Sequence, residues 1–127
     1  MPGKVVYEYA FIRYVPKVER EEFINIGVIL YCKPKQYLAV RYHLDEKRMT
    51  AFHPEADLAV IRHYLETWDC IARGDSRCGP IALQDVPGRF RWLTATRSTI
   101  IQPSKVHPGL CDDPSQILDE LFSHYVL

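Results

Sequence analysis

Arg13, Arg41 and Arg97 are the side chains of this sequence best suited to binding chemistry. A guanidinium offers five N–H donors in a planar fork and stays charged, so it matches phosphate or carboxylate groups. Arg97 runs directly into Ser98 and Thr99, whose hydroxyls would add donors to the same anion. Between Asp85 and Leu110 the basic residues are Arg89, Arg91, Arg97 and Lys105, against Asp85 alone. Two readings stand side by side. Either the arginines converge on an anion or an acidic partner surface, or each meets its own carboxylate, with Arg13 facing Glu8, Glu21 or Glu22.

Asn25 and Gly27 form a second candidate. They share one face of an apolar segment, where a buried amide needs hydrogen-bond partners and a mid-strand glycine marks a bulge or a close approach. That pattern fits a small polar pocket, or simply a bulge whose asparagine is satisfied by loop backbone. Ser104 and His107 form a third, since a histidine within reach of a hydroxyl can act as a base. The other histidines, His43, His53, His63 and His124, show no common spacing. There is no phosphate-binding glycine loop, no G-x-S-x-G and no H-E-x-x-H, which argues against the commonest enzyme classes.

Cys32, Cys70, Cys78 and Cys111 contain no C-x-x-C pair. The expectation is four reduced thiols, with Cys32 a small buried hydrophobe. A zinc site from His63, Cys70 and Cys78 is the alternative, but it has no evident fourth ligand. No metal and no cofactor are expected.

The elements that must position these residues follow from periodicity. Val5 to Val15 alternates as a strand and stops at Pro16. Phe23 to Cys32 carries Ile24, Ile26, Val28, Leu30 and Cys32 on one face and Phe23, Asn25, Gly27, Ile29 and Tyr31 on the other. Apolar residues on both faces indicate a central strand covered on both sides. Tyr37 to Tyr42 is a third strand, and the short connections favour antiparallel pairing. Asp45 to Phe52 suggests a helical turn. From Pro54 to Arg73, Leu58, Ile61, Leu65, Trp68 and Ala72 recur at helical spacing, ended by Gly74. Gly74 to Gly88 reads as loop, and Phe90 to Ala95 fits a short helix or a strand. Ser98 to Gln102 reads as a strand stopped by Pro103, and Ser104 to Asp112 as a loop turning at Pro108-Gly109. Asp113-Pro114-Ser115-Gln116 opens a last helix with Ile117, Leu118, Leu121, Phe122 and Tyr125 on one stripe.

These elements make one domain over residues 1–127, in keeping with the chain's length of 127 residues. The expected class is α+β: a small antiparallel sheet of about four strands with the two main helices packed on one face. No apolar run approaches the roughly 20 residues of a membrane span, and the start of the chain has no signal-peptide core, so a cytoplasmic location is expected. Sixteen basic and sixteen acidic residues cancel. That balance disfavours a nucleic-acid binder relying on bulk charge and leaves only a local basic patch for such a role.

Three stretches carry a resemblance to a known family. They are Tyr7 to Arg13 with Glu19 to Leu30 (the E-R-E-E-F-I-N-I-G-V-I-L block), Arg97 to Ser104, and His107 to Leu110 with Asp113-Pro114. Together they resemble the bacterial domain of unknown function DUF3037 over nearly the whole chain. The resemblance implies no transferable activity or catalytic residues. It does imply an accessory or regulatory role, because genes of this family often stand beside those of HipA-like kinases. The expected function is thus a non-enzymatic protein-binding module, with a HipA-like kinase as candidate partner. A ligand-binding or enzymatic domain for a phosphorylated or anionic small molecule is the alternative. Arg13, Asn25, Arg41, Arg97, Ser98, Ser104 and His107 are the candidate binding residues.

Overall fold

The computed structural model describes residues 3–127. An antiparallel sheet forms the middle layer, in the order β3–β2–β1. These strands are β1 (Val5–Tyr14), β2 (Ile24–Cys32) and β3 (Tyr37–Tyr42). On the other side of β1 lie two short strands in line, β4 (Ile101–Pro103) and β5 (His107–Cys111). Four helices complete the α+β fold: α1 (Glu46–Phe52), α2 (Leu58–Ala72), α3 (Val86–Leu93) and α4 (Pro114–Tyr125).

The helix starts follow local chemistry. Asp45, Asp57, Asp85 and Asp113 each cap a helix, their carboxylates accepting the N–H of Arg48, Val60, Gly88 and Ser115. The Asp57 cap starts α2 at Leu58, later than the proline-based expectation of Pro54. Phe90 belongs to a helix because the Asp85 cap and Pro87 begin one there.

The two main helices occupy opposite faces of the sheet, which corrects the expected placement on one face. Ile61, Leu65, Trp68, Ile71 and Ala72 of α2 pack with Met49 of α1 and Phe90 and Leu93 of α3 against Ile12, Tyr14, Ile29 and Tyr31. Leu118 and Phe122 of α4, with Val126 just beyond it, pack against Val28 and Leu30. Successive residues of a strand point to opposite faces, so Val28 and Ile29 need separate covers. Burying a large apolar side chain is worth about 1.5–3 kcal/mol, so β2 could not leave either face in water without losing several such contributions.

A bulge re-sorts the faces of β2. Ile12 pairs with Gly27 and Arg13 with Asn25, which leaves Ile26 as the extra residue. Ile24 and Ile26 therefore join the α2 side with Ile29 and Tyr31, not the face of Val28 and Leu30. A Cβ on Gly27 would lie 3.0 Å from the Arg41 carbonyl oxygen and 3.0 Å from Ile12 Cδ1, so the close approach of β3 to β2 depends on its absence.

β5 is a strand where a loop was expected. Pro108 and Gly109 read as a turn, but they lie on the outer strand, opposite Glu8 and Tyr7. A proline is tolerated there because an edge strand does not need every N–H for a ladder. The Tyr7 ring occupies the space where a Gly109 side chain would stand.

A disulfide joins Cys70 and Cys78, with Cα atoms 6.2 Å apart, while Cys32 and Cys111 are free and buried. This corrects the expectation of four free thiols. The physical reason is the left-handed turn at Gly74 (φ +70°), which folds the chain back along the end of α2.

Candidate functional site

Arg13 lies near the end of β1, with Asn25 opposite it on one side and Gln102 on the other. Its guanidinium sits over the Phe23 ring, 4.0 Å from the centroid. Its Nε is buried without a hydrogen-bond partner, and burial lowers its pKa from the ordinary arginine value. The bulge at Ile26 explains the stacking, because it leaves Asn25 and Phe23 on the Arg13 side of the sheet.

Arg97 follows α3 and folds back onto it. Its Nη1 donates to the Leu93 carbonyl at 3.0 Å and its Nη2 to the Trp92 carbonyl. The same guanidinium lies 4.7 Å from the Trp68 ring centroid and 4.4 Å from that of Trp92. A cation suits this place twice over, at the negative end of a helix and between aromatic faces. Burial lowers the Arg97 pKa as well.

β4 pairs beside β1, and this brings Arg97 and Ser98 to the same end of the sheet as Arg13. All three line a depression of about 410 Å³ between the β1–β2 connection and the segment entering β4. Thr96, Gln102, Glu21 and Phe23 complete its polar and aromatic surface. Glu21 was named from the sequence only as a possible carboxylate for Arg13, and the other three were not singled out. Gln102 and Phe23 become visible only through the β1–β4 register and the bulge.

The other expected residues stand elsewhere. Arg41 is bonded to Asp119 and lies over the Phe122 ring at 4.5 Å, so it has its own carboxylate on the α4 side. Asn25 lines a separate cleft of about 140 Å³ with His43, Asp45 and Arg48, and its Oδ1 is buried without a partner. His107 is exposed on β5, its ring 5.4 Å from that of Tyr9.

Ser104 serves the sheet. The junction of β4 and β5 holds one residue more than β1 opposite it, since Ile12 pairs with Pro103 and Tyr9 with His107. The buried Ser104 hydroxyl spans the gap by accepting the Phe11 N–H at 2.8 Å and donating to the Lys105 carbonyl at 2.9 Å. Those two bonds engage the hydroxyl with backbone, and no hydrogen bond links it to His107 among the described residues. Ser104→Ala should therefore cost about 1–3 kcal/mol, the penalty for a buried N–H left without an acceptor. Urea denaturation measures it, and a loss under roughly 0.5 kcal/mol would show that water replaces the hydroxyl.

The residues of the alternative zinc site, His63, Cys70 and Cys78, do line one opening. The two cysteines are spent on each other, and no group of three His, Cys, Asp or Glu side chains is arranged to hold a metal ion among the described residues. No helix of the described residues is long and apolar enough to cross a membrane.

No curated protein and no solved structure matches the chain. A family profile does, over residues 9–126, a span that holds the β1–β2 bulge, the Arg13 depression, the disulfide and all of α4. The chain therefore belongs to the family described as Protein of unknown function (DUF3037).

Proposed function

We propose that this protein is a non-catalytic binding module that takes an anionic group of a partner protein into the Arg13 depression. One observation carries the reading. Arg20, Arg41, Arg62, Arg73 and Arg77 each have a carboxylate within ion-pair distance, whereas Arg13, Arg48, Arg89, Arg91 and Arg97 have none among the described residues, and of these Arg13 and Arg97 line one depression together. Two guanidiniums that line one depression without matching carboxylates leave it positively charged, and an anion bound there would gain from both. Ser98, Thr96 and Gln102 supply neutral donors at the same place. The one carboxylate lining it, Glu21, leaves the pair in excess.

An acidic or phosphorylated segment of another protein is the proposed ligand, and a HipA-like kinase is the partner suggested by the family resemblance. The net charge of +0 speaks against nucleic acid as the partner. Catalysis has no support in the geometry, since the Ser104 hydroxyl is bonded to backbone and His107 stands apart from it.

Titration with inorganic phosphate and then with a phosphoserine peptide, followed by amide NMR, tests the reading. Shifts should gather at residues 13, 21–23 and 96–102. Arg13→Ala should weaken binding about ten- to a hundredfold, the loss that follows from removing a hydrogen bond to a charged group. Its melting temperature should stay near that of the wild type, because the Arg13 side chain makes no ion pair or hydrogen bond among the described residues and gives up only its stacking on Phe23. Shifts that scatter over the surface, or that survive Arg13→Ala, would defeat the proposal.

A further inference from the structure

We infer that Cys70 and Cys78 are a reversible redox-modification site, closed and opened by exchange with low-molecular-weight thiols and disulfides. The sulfurs already meet in the fold. Cys70 lies in the last turn of α2 and Cys78 in a 3-10 turn at Ser76–Cys78, with Cα atoms 6.2 Å apart, within the range a disulfide spans. Both are only half-buried and line an open depression of about 590 Å³ on the flank of α2. A small thiol can reach them there. Cys32 and Cys111 are 0% and 2% exposed and remain out of its reach. Access of this kind separates an exchangeable pair from a sealed structural one.

The connector between α2 and α3 gives the exchange a consequence. The 3-10 turn buries no residue. Apart from the disulfide, it is held by hydrogen bonds from the Asp75 N–H to the Cys70 carbonyl at 3.2 Å, from the Cys78 N–H to the Asp75 carbonyl at 3.0 Å, from the Gly79 N–H to the Ser76 carbonyl at 3.4 Å and from the Arg77 N–H to the Asp75 carboxylate at 3.0 Å. Asp75 also forks onto Arg77, with contacts of 3.0 Å from Nε and 2.6 Å from Nη2, and these bonds pull its carboxyl pKa down to about 2. The side chain of Arg77 is 85% exposed, so this ion pair is a weak tether in water. Of the turn's residues only Cys78 packs, half-buried, against the core, and a segment with so few buried contacts opens locally at low cost unless a covalent link holds it.

Closure is balanced as two exchanges with a small disulfide such as oxidised glutathione. One cysteine thiolate attacks that disulfide, forms a mixed disulfide and releases one glutathione thiolate. The other cysteine thiolate then attacks the mixed disulfide at the cysteine sulfur, and the second glutathione leaves. Two electrons pass from the cysteine pair to the glutathione disulfide, and the two protons end on the two released thiols. Reduced glutathione reverses both steps.

The test uses the full native chain, equilibrated in oxidised or reduced glutathione, quenched with acid, and then unfolded for thiol counting and mass measurement. The expected oxidised form is lighter by two hydrogens and keeps two thiols, Cys32 and Cys111. The reduced form should show all four. Trypsin should cut after Arg73 and Arg77 several-fold faster in the reduced form, and Cys70→Ser should be cut at the fast rate in both buffers. Persistence of four thiols in oxidised glutathione would overturn the inference. So would a disulfide that native protein does not release to reduced glutathione, or trypsin rates that ignore the redox state.

Discussion

Trp68→Ala is expected to destabilise the protein by about 3–5 kcal/mol, the range for truncating a large buried aromatic. Trp68 is 3% exposed and belongs to the inner face of α2 with Leu65 and Ile71. Its ring meets Trp92 of α3 edge-on, with centroids 6.4 Å apart and planes at 70°. Edge-to-face pairs add about 0.5–1.5 kcal/mol beyond the area they bury. The indole also forms one side of the Arg97 site. Alanine would therefore remove packing between α2, α3 and the segment that enters β4. Against a typical total stability of about 5–15 kcal/mol, such a loss is readily measured by urea denaturation. A change under roughly 1 kcal/mol would mean that α2 does not bury this face against α3 and the sheet.

Arg97→Ala should cost about 1.5–3 kcal/mol, the worth of hydrogen bonds to a charged group. The side chain closes the C-terminus of α3 through the Trp92 and Leu93 carbonyls and stacks on two tryptophans. Arg97→Lys should recover only part of the loss, because an ammonium lacks the planar fork that reaches both carbonyls and both rings. In a double-mutant cycle with Trp68→Ala the two losses should fall short of additivity by roughly 0.5–3 kcal/mol, as for residues in contact. Full additivity would place Arg97 away from the indole and leave it a surface charge. The structural duty of Arg97 also decides how the anion site is tested. A binding loss in Arg97→Ala would mix lost packing with lost charge, whereas Arg13 makes no ion pair and its removal should give up only the stacking on Phe23.

What the sequence determined by itself is local. The stripe of Leu58, Ile61, Leu65, Trp68 and Ala72, the carboxylate cap at Asp113, and the apolar alternation of β1 and β2 each act over a few residues, and they were enough for the α+β class. The apolar residues on both faces of β2 even carried the need for cover on two sides, although not which helix would supply it. Tertiary structure decided the rest because the deciding contacts span the chain. Ser104 meets the Phe11 N–H across 93 residues, and that bond turns a candidate binding hydroxyl into part of a sheet edge. The extra residue at Ile26 reverses the faces of the strand ahead of it, which no period-two count registers. Pro108-Gly109 is a turn by its local chemistry and a strand only because the outer edge of β1 lies beside it. Cys70 and Cys78 meet because Gly74 reverses the chain, and Arg97 finds its partners only once α2 and α3 pack their tryptophans together.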